Sequence, residues 1–317
     1  KYFRATGHGP ALELALTLAS KATSEYFLPD GAYNRAKFGQ HTHSTTCVMS
    51  SLAQLADLTD DSALLERVRA FYDNGLWDIR DGLGWVIENS NDDSPPDRGE
   101  CNNTGDIVET ALILGRRGYP EYFQDAERII RGHLLPAQLR DNSFIIDPPN
   151  PMSEDGLHEV AERHVGAFGF PAPYGHRPLD LERVSFNMDI VGGAVASLCE
   201  VLREAALTTA HGHTVNLMFD HQSESLRVET DSDGASVTVI TLKPGPLRIR
   251  LPLWVDQSEL KVESSTRHHV LDSYVLIAEP CVGEEIKVSY PLAASELVLH
   301  HRTRDIRVRL RGDTVVS

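Results

Sequence analysis

The chain is poor in several residue types, and each shortage excludes something. It holds four cysteines in 317 residues, at positions 47, 101, 199 and 281, with no CxxC pair. That is no disulfide framework, and it weakly favours a cytoplasmic protein. Lysine occurs six times, and no Lys/Arg cluster appears. The balance is 30 basic against 46 acidic residues, a formal net charge of −16. Nucleic acid and anionic membranes are therefore poor partners. No apolar run approaches the ~20 residues that cross a bilayer. Aromatics make up only 7% of the chain, but 41% hydrophobic content supplies a core. The sequence opens at Lys1 and stops inside a strand-like run, "RLRGDTVVS", so it reads as cut at both ends.

Three stretches line up: "YFRATGHGPALELALTLASKAT", "LADLTDDSALLERVRAFYDNGL" and "LGRRGYPEYFQDAERIIRGHLL". Each ends one helix, turns, and starts a second amphipathic one, which is the mark of a helical-hairpin repeat. The first helices of the pairs are expected over Ser44–Leu58, Asn103–Arg116 and Asn187–Ala205. The second are expected over Pro10–Ser24, Ser62–Trp77 and Pro120–Leu135. Pro10 and Pro120 suit first-turn positions. Past His213 the pattern changes to short β-branched runs such as "SVTVITL", "LRIRLPLWV" and "EIKVSYPL". The expected fold is mainly α with a C-terminal all-β part: an α/α toroid, part of a six-hairpin barrel, over residues 1–210, then an antiparallel β-sandwich over 211–317.

The three helix entrances are "GQHTHSTT", "RGECNNTGD" and "RVSFNMD". Each carries more polar chemistry than a cap consumes, whereas the turns at the other helix ends are plain. Asn103 is a natural N-cap, with Asp106 three residues on as its capping-box partner. Glu100, Cys101 and Asn102 remain unexplained by capping. In a closed toroid the entrances share one rim, where free helix N–H groups suit hydroxyl-rich or acidic ligands. Hydrolysis of a glycoside needs an acid and a base or nucleophile flanking the bond. Glu100 and Asp189 are the expected catalytic carboxylates, one as acid and the other as base, with Glu100 read as base or substrate-binding carboxylate rather than acid; Asp106, Glu109 and Glu88 are further candidates. His41, His43, Cys101, Asn102, Asn103 and Asn187 are expected to bind substrate. His164, Tyr174 and His176 join them from a Gly/Pro-shaped loop read as a lid. Trp85, Phe170 and Tyr174 are candidate sugar-stacking rings. Adjacent Glu-Cys is poor metal-ligand spacing, so no metal and no cofactor are expected.

"GECNNTGDIVETALILGRRGYPEYFQDAERIIRGHLLPAQL", "SFNMDIVGGAVASLCEVL", "LRIRLPLWV" and "RLRGDTVV" together resemble the β-L-arabinofuranosidases of glycoside hydrolase family 127. The resemblance implies an α/α barrel, here without its first helices, followed by β-sandwich modules. In that family a Glu and three Cys hold zinc, and one Cys is the nucleophile. Only Cys101, with Glu100, is matched; the double Cys is replaced within Phe186–Asp189. The thiolate-zinc mechanism is therefore not expected. The function implied is a glycoside hydrolase that uses carboxylates on an oligosaccharide or glycoside. The alternatives are a polysaccharide lyase acting on a uronate-containing glycan and a carbohydrate-binding relative without activity. The residues do not fix an oligomeric state.

Overall fold

A computed structural model describes residues 1–91, 97–171, 188–231 and 234–317, with backbone alone at 188–189. The helices are α1 (Tyr2–Thr6), α2 (Gly9–Glu25), α3 (Arg35–Phe38), α4 (His43–Thr59), α5 (Ser62–Asp73), α6 (Cys101–Arg116), α7 (Glu121–Ile129), α8 (Val160–Arg163) and α9 (Met188–Ala205). The seventh helix is shorter than its periodicity predicts. After Ile129 the ladder widens into a π turn over Ile130–Leu134.

Helix α6 is the centre of the helical part. Fourteen of its 16 residues are buried, polar ones included, so it packs all round rather than along one stripe. It runs parallel to α4, as the rungs between them show. Thr46 donates to Asp106 at 2.9 Å, Ser50 to Glu109 at 2.6 Å, and Arg116 to Asp57 at 2.6 Å. It also runs parallel to α9. A Cβ on Gly105 would meet Ser197 Oγ at 2.4 Å, and one on Gly193 would meet Asn102 Cβ at 2.8 Å. Both positions need glycine for close backbone approach. The starts of α4, α6 and α9 therefore lie at one end.

The strands begin at the residue after α9. They are β1 (Ala206–Thr209), β2 (Gly212–Val215), β3 (His221–Gln222), β4 (Leu226–Thr230), β5 (Ser236–Thr241), β6 (Leu247–Arg250) and β7 (Lys261–Glu263). They continue as β8 (His268–Leu271), β9 (Tyr274–Ile277), β10 (Glu285–Ser289), β11 (Ala294–His300), β12 (Asp305–Arg311) and β13 (Thr314–Val315). Two five-stranded sheets, β1-β2-β6-β9-β8 and β3-β4-β5-β10-β7, share one apolar cluster that includes Val215, Ile249, Val275, Val239 and Val288. Alternating burial along β4 is the signature of a strand with one face inward. One pairing departs from the antiparallel expectation: β2 and β6 are parallel. The chain returns to β2's side through β3–β5, a crossover that local strand patterns do not encode. A third sheet, β11-β12-β13, packs separately against Leu83 of the helical part.

Candidate active site

Three extended segments zip together at the helix entrances. His41 bridges to Asn89, and Ile87 bridges to Gly99. The Thr42 amide donates to the Glu88 carbonyl at 3.1 Å, and the Glu88 amide to the Arg98 carbonyl at 2.8 Å. This small ladder brings His41, Glu88 and Glu100 together across 59 residues of sequence. His41 Nε2 lies 3.1 Å from Glu100 Oε1, and the ligand atoms of all three residues fall within 4.8 Å of one another. Glu100 is buried, while His41 stays 54% exposed and so faces solvent from above it. Arg98 forms a two-pronged ion pair with Glu88, one bond at 3.1 Å, and its guanidinium lies over the Phe170 ring at 4.9 Å. Such a fork fixes the plane of the carboxylate.

A second group lies one turn deeper, between α4 and α6. His43 Nε2 is 3.5 Å from Asp106 Oδ2 and 3.3 Å from Asn102 Nδ2. Asn103 Nδ2 donates to Thr42 Oγ1 at 3.1 Å. Burial pushes the Asp106 carboxyl up to about 7, with Glu109 and Glu100 adding to the rise and the Thr46 hydroxyl and Lys1 opposing it.

Asp106 carries a pH prediction. The unfolded chain ionises it near 3.8, and the folded chain only at about 7. The folded state therefore holds this proton longer. The group costs nothing below pH 4, and stability falls as pH rises from 4 to 7. Asp106→Asn should flatten that fall and gain roughly 1–2 kcal/mol at pH 8, discounted for partial exposure. Urea melts at pH 4 and pH 8 check it; an equal change at both values would remove Asp106 as the cause.

Two expectations need correction. Asn103 is no cap: α6 starts at Cys101 with Glu100 as its N-cap residue, and no side chain caps it. Instead the Asn102 carboxamide accepts the Asn103 amide at 3.0 Å, and Asn103 turns to Thr42. Cys101 and Asn103 are fully buried, Cys101 within the apolar core and Asn103 on Thr42. Trp85 is also no platform, because its ring is buried, donates to the Pro171 carbonyl at 2.9 Å and packs on His301. Phe170, half-buried beside Arg98, remains at the site. His164 stands at the end of α8, bonded to the Val160 carbonyl, and lines a cavity of about 680 Å³ with Val191 and Val195. Tyr174, His176, Asn187 and the Asp189 side chain lie outside the described residues. Glu88, a further candidate because it follows an aromatic in "GWVIENS", is the carboxylate that the structure brings beside His41 and Glu100.

A thiolate zinc site does not fit. Cys101 is buried with its thiol pushed up to about 12 by desolvation, while Cys47, Cys199 and Cys281 are each exposed elsewhere. Among the described residues, the group able to hold a metal contains no sulfur: His41, Glu88 and Glu100. Arg98 already neutralises Glu88 there. Metal analysis of the purified chain should find no zinc that depends on Cys101; stoichiometric zinc lost on Cys101→Ser would overturn this.

No family profile matches the sequence, and no curated protein sequence matches it. The fold has clear counterparts. Ara127N-Se, a GH127 β-L-arabinofuranosidase from Geobacillus stearothermophilus T6, superposes over 99% of this chain and 56% of its own, at 15% identity and TM-score 0.61. A structure titled glycoside hydrolase gives 99%, 58%, 15% and 0.66. A GH127 β-arabinofuranosidase gives 99%, 54%, 14% and 0.58. The chain thus shares the fold of GH127 proteins and spans a little over half their length.

Proposed function

We propose that this chain carries the active site of a glycoside hydrolase, with Glu88 and Glu100 as the reacting carboxylates. The observation behind the reading is their approach, within 4.8 Å and with His41 alongside. Retaining glycosidases hold their carboxyl groups about 5–5.5 Å apart, and inverting ones about 6.5–9.5 Å to admit a water. The short separation supports retention. Arg98 holds the plane of the Glu88 carboxylate, which serves as the nucleophile. Glu100, buried against His41, passes the proton: acid in the first step, base in the second. His43 and Asn102 bind sugar hydroxyls beneath them, Phe170 offers an apolar face, and α9's first turn with Asp189 closes the same rim. In this reading α4, α6 and α9 are inner helices of an α/α toroid, and the paired sheets are its β-sandwich. The fold's neighbours make arabinofuranosides the first substrates to test.

The experiment is a panel of aryl α- and β-pentofuranosides and hexopyranosides, with the product followed by proton NMR. The first-formed sugar should keep the substrate's anomeric configuration. Inversion would exclude the Glu88/Glu100 pair as drawn, an unsaturated product would mean a lyase, and binding without turnover would mean a non-enzymatic relative.

A further inference from the structure

The hairpin β11–β12 belongs to the third sheet, yet its tip reaches the segment that carries Glu88. Of three successive tip residues, Arg302 and Thr303 hydrogen-bond to that segment and His301 packs against it. His301 has a side chain only 1% exposed, with Nε2 3.2 Å from Asp81 Oδ2. Its ring meets Trp85 edge-on at 4.6 Å. The Arg302 guanidinium donates to the Asn89 carbonyl, next to Glu88. The Thr303 amide and hydroxyl donate to Asp97 Oδ2 at 3.0 and 2.8 Å, and Asp97 is buried beside Arg98. Below the tip, Leu299, Val308 and Leu310 pack on Leu83. Asp81 is itself fixed, since its Oδ1 accepts the amides of Leu83 and Trp85 at 2.8 and 3.1 Å.

These contacts bracket Glu88 from both sides. Asp81 and Trp85 precede it, Asn89 follows it, and Asp97 anchors the strand that returns through Arg98 to Glu100. A segment of this kind opens readily unless its ends are held, because surface segments unfold locally at little cost. The start of α4 ties the middle of the segment, through Thr42 on the Ile87 and Glu88 carbonyls and the Ser90 amide on the Gln40 carbonyl. The tip adds ties at the Asn89 carbonyl and the Asp97 carboxylate.

We infer that the β11–β12 tip, His301, Arg302 and Thr303, is a positioning element that sets the distance between Glu88 and Glu100. The inference rests on the reading of those two carboxylates as the reacting pair. Its consequence is that the C-terminal sheet is part of the active-site frame, so its residues tune chemistry without touching substrate.

The test uses the full chain with the double substitution Arg302→Ala/Thr303→Val, and Arg307→Ala on exposed β12 as control. Hydrogen exchange should quicken about tenfold or more across residues 85–91 and 97–100, with α4 and α6 unchanged. On any aryl glycoside that the wild type cleaves, kcat should fall about tenfold with KM within about twofold, since positioning acts on the reacting geometry. Thr303→Ser, which keeps the hydroxyl, should restore wild-type exchange. Unchanged exchange in the double variant would overturn the inference, as would faster exchange throughout α4 and α6, which would make the tip a general stabiliser. Faster loop exchange with unaltered kcat would separate the tip from the chemistry and also overturn it. A wild type that cleaves nothing in the panel counts against the hydrolase reading alone, and the exchange measurement still decides the latch.

Discussion

Glu100→Gln should lower turnover by about 10²-fold or more, with the melting temperature nearly unchanged. The substitution keeps the shape of the side chain and its contact with His41, but removes the proton-transfer group. Little stability is at stake because the Glu100 side chain caps no amide. Glu88→Gln should be as damaging to turnover but should also free Arg98, whose two-pronged pair it dissolves. The pair of variants therefore differs in one respect: only Glu88→Gln should loosen the Arg98–Phe170 stack. A fully active Glu100→Gln protein would remove this residue from the chemistry. A variant that does not fold would make Glu100 a structural group instead.

The sequence carried the helices well because their signals are local. Apolar spacing and turn residues placed α2, α4, α5 and α9 within a residue or two at most ends. It carried the shared orientation of the entrances through the repeat. It did not carry Glu88's place. That depends on the pairing of His41 with Asn89 and Ile87 with Gly99, single bridges between segments with no strand-length pattern. Asn103 misled because an asparagine ahead of an apolar run suits a cap, whereas the N-cap residue of α6 is Glu100, three residues earlier. The parallel β2–β6 pairing and the reach of His301 into the Asp81 turn are long-range events, with no periodicity to announce them. The helical frame follows from pattern, whereas the site follows from how distant loops meet.

Arg250→Met should cost about 3–5 kcal/mol of stability, the usual penalty for stripping a buried charge of its partner. Arg250 is 1% exposed and stands at the junction of the helices and the sheets. It donates to Glu127 of α7, to Gln124 at 3.1 Å, and to the Asn216 carbonyl after β2. The same network runs on: Gln124 donates to Asp313 at 2.7 Å, which also accepts Trp254 Nε1 at 2.9 Å. Glu127, 2% exposed, would keep only Arg131 at 3.1 Å and the Met218 amide at 3.2 Å. Methionine fills much of the volume, so the loss reports charge and hydrogen bonding rather than a cavity. Adding Glu127→Gln should recover part of it, because the buried anion is then gone; coupling between in-contact charges is typically 0.5–3 kcal/mol. The unfolding transition of Arg250→Met, followed by circular dichroism and by tryptophan fluorescence, should move to lower urea. A urea midpoint within error of wild type, or a double variant no better than the single, would show that the junction is held by apolar packing and that this buried ion pair is incidental to it.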